Sequence, residues 1–229
     1  MASSTSSVAN ALGALRSPGF YYEADPGVGE RASQPFEGYT TESGLKFYED
    51  NFLKNERIAG VLKASFDQCN LTAYRTFAPD EKRAFQFRRG GVKADCILVV
   101  LLWPPDSEVI FYRDSWKHNM TAVAADNGLW RVPQASAVKA GLDKGTRVSL
   151  KQGGFTIHDG RTLVTFARGR PIAASFAPDE FLRKWGWKKR LVSTTEQMEQ
   201  RLKTCENEKF KLYIEFARPA VAQTQRLQT

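Results

Sequence analysis

Of the chain's two histidines, His158 sits where chemistry is most readily done. It ends the apolar run Phe155 to Ile157 and precedes Asp159-Gly160-Arg161, a strand-to-turn junction of the kind that lines pocket mouths. An imidazole there can ligate a metal, act as a general base, or contact an anion together with Arg161 or Arg170. The plainer alternative is a turn histidine bonded to backbone. Asp114, in Tyr-Arg-Asp-Ser, and Asp159 are the carboxylates that could join acid–base work, provided one cleft holds them. Arg161, Arg168 and Arg170 offer guanidinium forks suited to a carboxylate or phosphate, although strand alternation turns some of such a set to solvent. Tyr112 and Trp130 are the aromatic residues expected at the substrate, with Trp103 and Trp116 in the same block as further rings or as ordinary core.

Other chemistries lack their residues. With only His118 besides His158, a three-histidine metal site is excluded, and a two-histidine site would need both to converge with a carboxylate. Gly90-Gly91 and Gly153-Gly154 lack the spacing of phosphate-binding loops, and no GxSxG or HExxH occurs. Cys69, Cys96 and Cys205 are far apart, odd in number and outside any CxxC, which reads as inert thiols in a reducing compartment and so as a cytoplasmic protein. No metal and no cofactor are expected on these grounds.

The elements that must position these residues are β-rich. Residues 96–176 hold several short β-type runs separated by Pro, Gly, Asn and Asp. Such close spacing predicts an antiparallel sandwich or barrel rather than a βαβ sheet. Ile97 to Trp103 is continuously apolar, as a central strand covered on both faces would be, and Pro104-Pro105 ends it. Asn127-Gly128 and Asp159-Gly160 mark turns. Upstream, Leu45, Tyr48, Phe52, Leu53, Val61, Leu62 and Phe66 suit one helix, or two broken near Gly60. Pro79-Asp80-Glu81 reads as a helix start, as does Pro178-Asp179-Glu180. Ser193 with Glu196 matches a capping box, and Phe210 to Phe216 alternates as a last strand. The expected division is a flexible segment over 1–35, one globular α+β domain over 36–217, and a polar tail over 218–229.

At 229 residues the chain can bury one full core, and its longest apolar run falls far short of the roughly 20 residues of a membrane helix. A formal charge of +8 favours an acidic partner or an anionic small molecule. Nucleic acid is the less favoured partner, since no zinc-finger spacing or basic-aromatic repeat accompanies the charge.

Two stretches carry a family likeness. Residues 127–141, NGLWRVPQASAVKAG, and 150–177, LKQGGFTIHDGRTLVTFARGRPIAASFA, resemble the double-stranded β-helix of the iron- and 2-oxoglutarate-dependent dioxygenases, the phytanoyl-type branch in particular. The resemblance puts Val164 where that family has its distal metal histidine. It puts Tyr112-Arg113-Asp114 where the family has His-x-Asp, and Arg170 near the cosubstrate arginine. It therefore implies a divergent member with an incomplete metal motif that binds a small organic molecule, either catalysing a non-oxidative step or having lost catalysis. The combined expectation is an α+β protein with an antiparallel sandwich or double-stranded β-helix, helices on one side, acting as a β-barrel that binds an anionic organic molecule. In an active version Asp114 or His158 is the acid or base, and Arg161 or Arg170 holds the anion. The competing expectation is a non-enzymatic protein that binds an acidic partner or nucleic acid through its basic surface.

Overall fold

The computed structural model describes residues 2–38, 41–90, 96–192 and 195–217, with the side chains of 2–6 left aside. The chain opens with helix α1 (Ala2–Arg16), strand β1 (Phe20–Ala24) and helix α2 (Pro26–Ala32), whose N-terminus Asp25 caps. Helix α3 (Glu42–Tyr48) runs into a π-helical turn, Glu49–Leu53, and α4 (Glu56–Ser65) follows. The β-rich block holds β2 (Cys69–Thr76), β3 (Ala84–Gln86), β4 (Leu98–Trp103), β5 (Ser107–Phe111), β6 (Val123–Ala124) and β7 (Trp130–Val132). After α5 (Gln134–Lys139) come β8 (Thr146–Leu150), β9 (Gly154–Asp159), β10 (Val164–Arg168) and β11 (Ile172–Ala177). The chain ends through α6 (Asp179–Lys184), β12 (Arg190–Val192), α7 (Glu196–Thr204), β13 (Phe210–Leu212) and β14 (Ile214–Phe216).

Two six-stranded sheets face each other, in the orders β1-β9-β4-β11-β2-β13 and β6-β7-β3-β10-β5-β8. All pairings within them are antiparallel except β13 on β2. Strands β2 to β5 and β8 to β11 shuttle between the sheets and give the inner orders β9-β4-β11-β2 and β3-β10-β5-β8. That winding is a double-stranded β-helix, as expected. The expected barrel is corrected. Among the described residues no ladder joins one sheet to the other, and closure requires one continuous hydrogen-bonded sheet. Added strands at the margins, β1 and β13 on one sheet and β6 with β7 on the other, widen each sheet sideways instead.

Strand β4 shows why its sequence is apolar throughout. Leu98, Val100 and Leu102 face a helical layer, while Val99, Leu101 and Trp103 face the other sheet. The same alternation sends Phe155 and Ile157 outward and Thr156 and His158 inward on β9. On β11 it sends Ile172, Ala174 and Phe176 outward and leaves Ala173, Ser175 and Ala177 between the sheets. The helical layer covers one side only: Ala11, Val28, Leu45, Tyr48, Phe52, Ile58 and Leu62 pack on the outward face of β9, β4, β11 and β2. The opposite sheet turns its outer face to solvent, where Glu108 bridges Arg147 and Arg168.

Several expectations about the elements change. Residues 1–35 hold α1, β1 and α2, and β1 pairs with β9 along its length. The helical break falls at Lys54-Asn55, where Asn55 caps α4, and not at Gly60. Gly60 lies inside α4 because α1 crosses it: a Cβ there would stand 2.8 Å from Val8. Pro79 opens no helix; Asp80 instead accepts from Lys82 N in a turn. Ser193 and the 218–229 tail lie outside the described residues, and Thr195 caps α7 by accepting from Met198 N. The Phe210–Phe216 alternation splits at Tyr213 into β13 and β14, the latter parallel to β12. No helix among the described residues is long and apolar enough to cross a membrane.

Candidate functional site

His158 is fully buried, and neither ring nitrogen has a hydrogen-bond partner. It projects from the inner face of β9 between the rings of Phe87 and Phe111, with centroid distances of 5.5 and 5.3 Å. Burial lowers its pKa to about 3, against a small opposing pull from Asp159, so the imidazole is neutral. The turn after β9 then locks the next two charges together. Arg161 donates from Nε and from its own backbone N to Asp159 Oδ1, at 2.8 and 2.9 Å, and from Nη2 to Oδ2 at 2.7 Å. Both side chains are buried, Arg161 also lies over the Trp116 ring, and Gln86 donates to the Arg161 carbonyl. Its charge is spent on Asp159.

The remaining nominated residues do not join His158. Asp114 occupies a surface turn in left-handed backbone conformation, φ 55°, and pairs with Lys117 at 2.9 Å. That hydrogen bond, with help from Ser17 and Arg113, holds its carboxyl below the usual range. Tyr112 and Trp130 pack with Met120, Val132, Ala137 and Leu163 in a separate apolar cluster. Arg170 lies at the far end of the sandwich, in a groove with Gln34, Phe36, Thr76 and Pro104. Arg168 is paired with Glu108 on the solvent face. The catalytic pair of Asp114 and His158, and a shared substrate site for Arg161, Arg170, Tyr112 and Trp130, are therefore not assembled.

An unforeseen cavity opens instead at one margin of the sandwich. It measures about 160 Å³ and is lined by Ala73 and Arg75 of β2, Ala173 and Ser175 of β11, Phe77, Phe87, Ile97, Gly128, Leu129 and Trp187. Small side chains on the inward phase of β11 leave the space. A bulge in β2 aims the rest. Ser175 pairs with Ala73 but Phe176 pairs with Leu71, so Thr72 is the extra residue. Thr72 Oγ1 fixes the bulge through the Ser175 carbonyl and hydroxyl, at 3.1 and 2.8 Å. Beyond it Tyr74 faces the helices, while Ala73, Arg75 and Phe77 face the cavity.

Arg75 is the polar centre of this mouth. Its guanidinium lies over the Phe77 ring at 4.7 Å and donates to the Asn127 carbonyl. No carboxylate pairs with it among the described residues. Partial burial, then the nearby charge of Arg190, lower its pKa. Both causes penalise the cation, and an anion would relieve them.

Comparison with known proteins follows this geometry. No family model and no curated protein matches the chain. Among solved structures it is similar to AviO1 from Streptomyces viridochromogenes Tue57, at TM-score 0.48 and 16% identity over 75% of this chain and 95% of that one. It is also similar to EvdMO1, at TM-score 0.46 and 12% identity over 75% of this chain and 50% of that one. A third is HygX from Streptomyces hygroscopicus with nickel and 2-oxoglutarate bound, at TM-score 0.41 and 12% identity over 74% and 86%. The fold is a double-stranded β-helix, and it stands on the chain's own strand order. An iron centre does not fit the residues present. Val164 is a fully buried apolar residue, and no group of three or more His, Cys, Asp or Glu converges among the described residues.

The sequence did carry one signal for the cavity. Ala173, Ser175 and Ala177 give one face of β11 small side chains alone, a phase that a filled core would not use. Arg75 was hidden in a segment whose phase the bulge reverses.

Proposed function

We propose that the chain binds a small organic acid at the mouth between its two sheets. Arg75 receives the anionic group, and Phe77, Phe87, Leu129 and Trp187 enclose the apolar part. The observation that carries this reading is an arginine on the inward phase of a strand, beside an open cavity, with no carboxylate partner among the described residues. A volume of about 160 Å³ is below the roughly 300–1,000 Å³ of drug-sized sites. It suits a short acid, or the charged end of a longer molecule that protrudes past Trp187.

Calorimetric titration with 2-oxoglutarate, succinate, hexanoate and inorganic phosphate tests it. At least one organic acid should bind, and Arg75→Met should weaken that binding tenfold or more while leaving the melting temperature unchanged. Failure of all the acids to bind, or equal binding by the Met variant, would overturn the reading.

A further inference from the structure

His158 and the mouth cavity share a wall. Phe87 lines the cavity on one side and covers the imidazole edge-on with the other. Across the sheet, Ala73, Ser175, Val99, His158 and Phe20 stand in one row of Cα partners, so the cavity's floor residues continue directly to the histidine. Only Val99 lies between Ser175 and His158 in that row. Beyond the histidine the row is sealed, because Phe20 stacks on Phe111 at 4.5 Å.

A fully buried imidazole with two unpartnered nitrogens is costly, since a donor and an acceptor taken from water without a replacement carry an uncompensated desolvation penalty. A core position with no polar task would be occupied more stably by an apolar side chain. Phe87, which packs edge-on against Phe77 and Phe166, is the movable part of this wall. It is the first residue beyond β3 and only half-buried, so its ring can swing without breaking a ladder bond.

We propose that His158 is a specificity-determining residue of the same site, exposed when Phe87 swings aside. It hydrogen-bonds a neutral polar group at the end of the ligand remote from its charge. This inference rests on the mouth-binding reading and adds the ligand's second functional group. A neutral imidazole presents one donor and one acceptor on diverging nitrogens, and a hydroxyl or carboxamide can answer either one. Arg75 and His158 stand three strands across and two residues along, so their backbones are separated by ~16 Å at ~4.8 Å per strand and ~3.3 Å per residue. The ligand class is therefore an elongated acid with its hydroxyl or amide at the opposite end.

The test compares hexanoate with omega-hydroxyhexanoate in calorimetry, and follows the His158 imidazole by NMR with His118 as the internal reference. The wild-type protein should bind the hydroxy acid about tenfold more tightly, and the hydroxy acid alone should shift the His158 ring resonances. His158→Phe should abolish that preference, so that the two acids bind alike, and His158→Asn should restore part of it. Arg75→Met should weaken both acids equally. Hexanoate binding that needs Arg75 but shows no hydroxyl preference, with unmoved His158 resonances, would overturn this inference and leave the mouth reading intact. Binding of neither acid would remove both. The resonance measurement uses the unaltered chain, so a variant that fails to fold does not shield the proposal.

Discussion

The two faces of the helix-backed sheet are built from the same strands and behave oppositely. Its outer face presents Leu98, Val100, Leu102, Phe155, Ile157, Ile172 and Phe176 to the helical layer, and every one of these side chains is apolar and buried. Its inner face alternates Arg75, Ala173, Ser175, Thr156 and His158 with large apolar residues, leaving a cavity and an imidazole without a partner. Both faces bury apolar side chains, but the inner one, packed around Val99, Leu101 and Trp103, also leaves space beside small and polar residues, as a strand with a period of two allows on one face alone.

Substitutions that separate the faces test this contrast. The largest effect should come from the outer face: Phe155→Ala should cost about 3–5 kcal/mol in chemical unfolding, as a fully buried aromatic truncation does, with ligand affinity unchanged in the folded fraction. An equal loss of affinity would show that the faces are not independent.

Next comes the pH dependence of the inner face. His158 has a folded pKa of about 3 against 6.5 in the unfolded chain, so between those values the unfolded chain binds a proton that the folded chain refuses. Stability should therefore fall as pH falls below 6.5, by up to about 1.4 kcal/mol per pH unit. His158→Phe should flatten that slope relative to wild type in urea titrations between neutrality and pH 4.5. An identical slope in the variant would place a proton or a water on the ring.

The smallest change belongs to the rim. Gly128 adopts φ 72°, and a Cβ there would lie 2.9 Å from the Arg75 guanidinium. Gly128→Ala should cost about 1–2 kcal/mol through its left-handed backbone and also displace Arg75, so acid binding weakens together with stability. Loss of stability with unaltered binding would remove Arg75 from the contact.

Much of this architecture was legible in the residues. The unbroken apolar run of β4 announced a strand covered on both faces, and Asn127-Gly128 marked the β6–β7 hairpin that the structure contains. The helices on one side followed from an apolar stripe that needed a sheet to cover it. Neighbouring strands were not legible, because pairings such as β1 on β9 join residues more than a hundred positions apart. The site suffered most from this. Which side of a strand faces inward depends on register, and the extra residue at Thr72 reverses the phase that simple alternation would assign. Arg170, chosen for its guanidinium and by family likeness, lines a groove away from His158. Arg161, chosen for its guanidinium, is already answered by Asp159.

Strand β1 gives the arrangement a dependence on its opening residues. Phe20 caps the far side of the imidazole, and the Phe20–Ala24 backbone occupies the open flank of β9. A chain trimmed to begin at Pro26 would keep all eight strands of the double-stranded β-helix yet lose this stopper. Solvent would then reach the histidine from behind, and a bare strand edge would be left for another molecule to pair with.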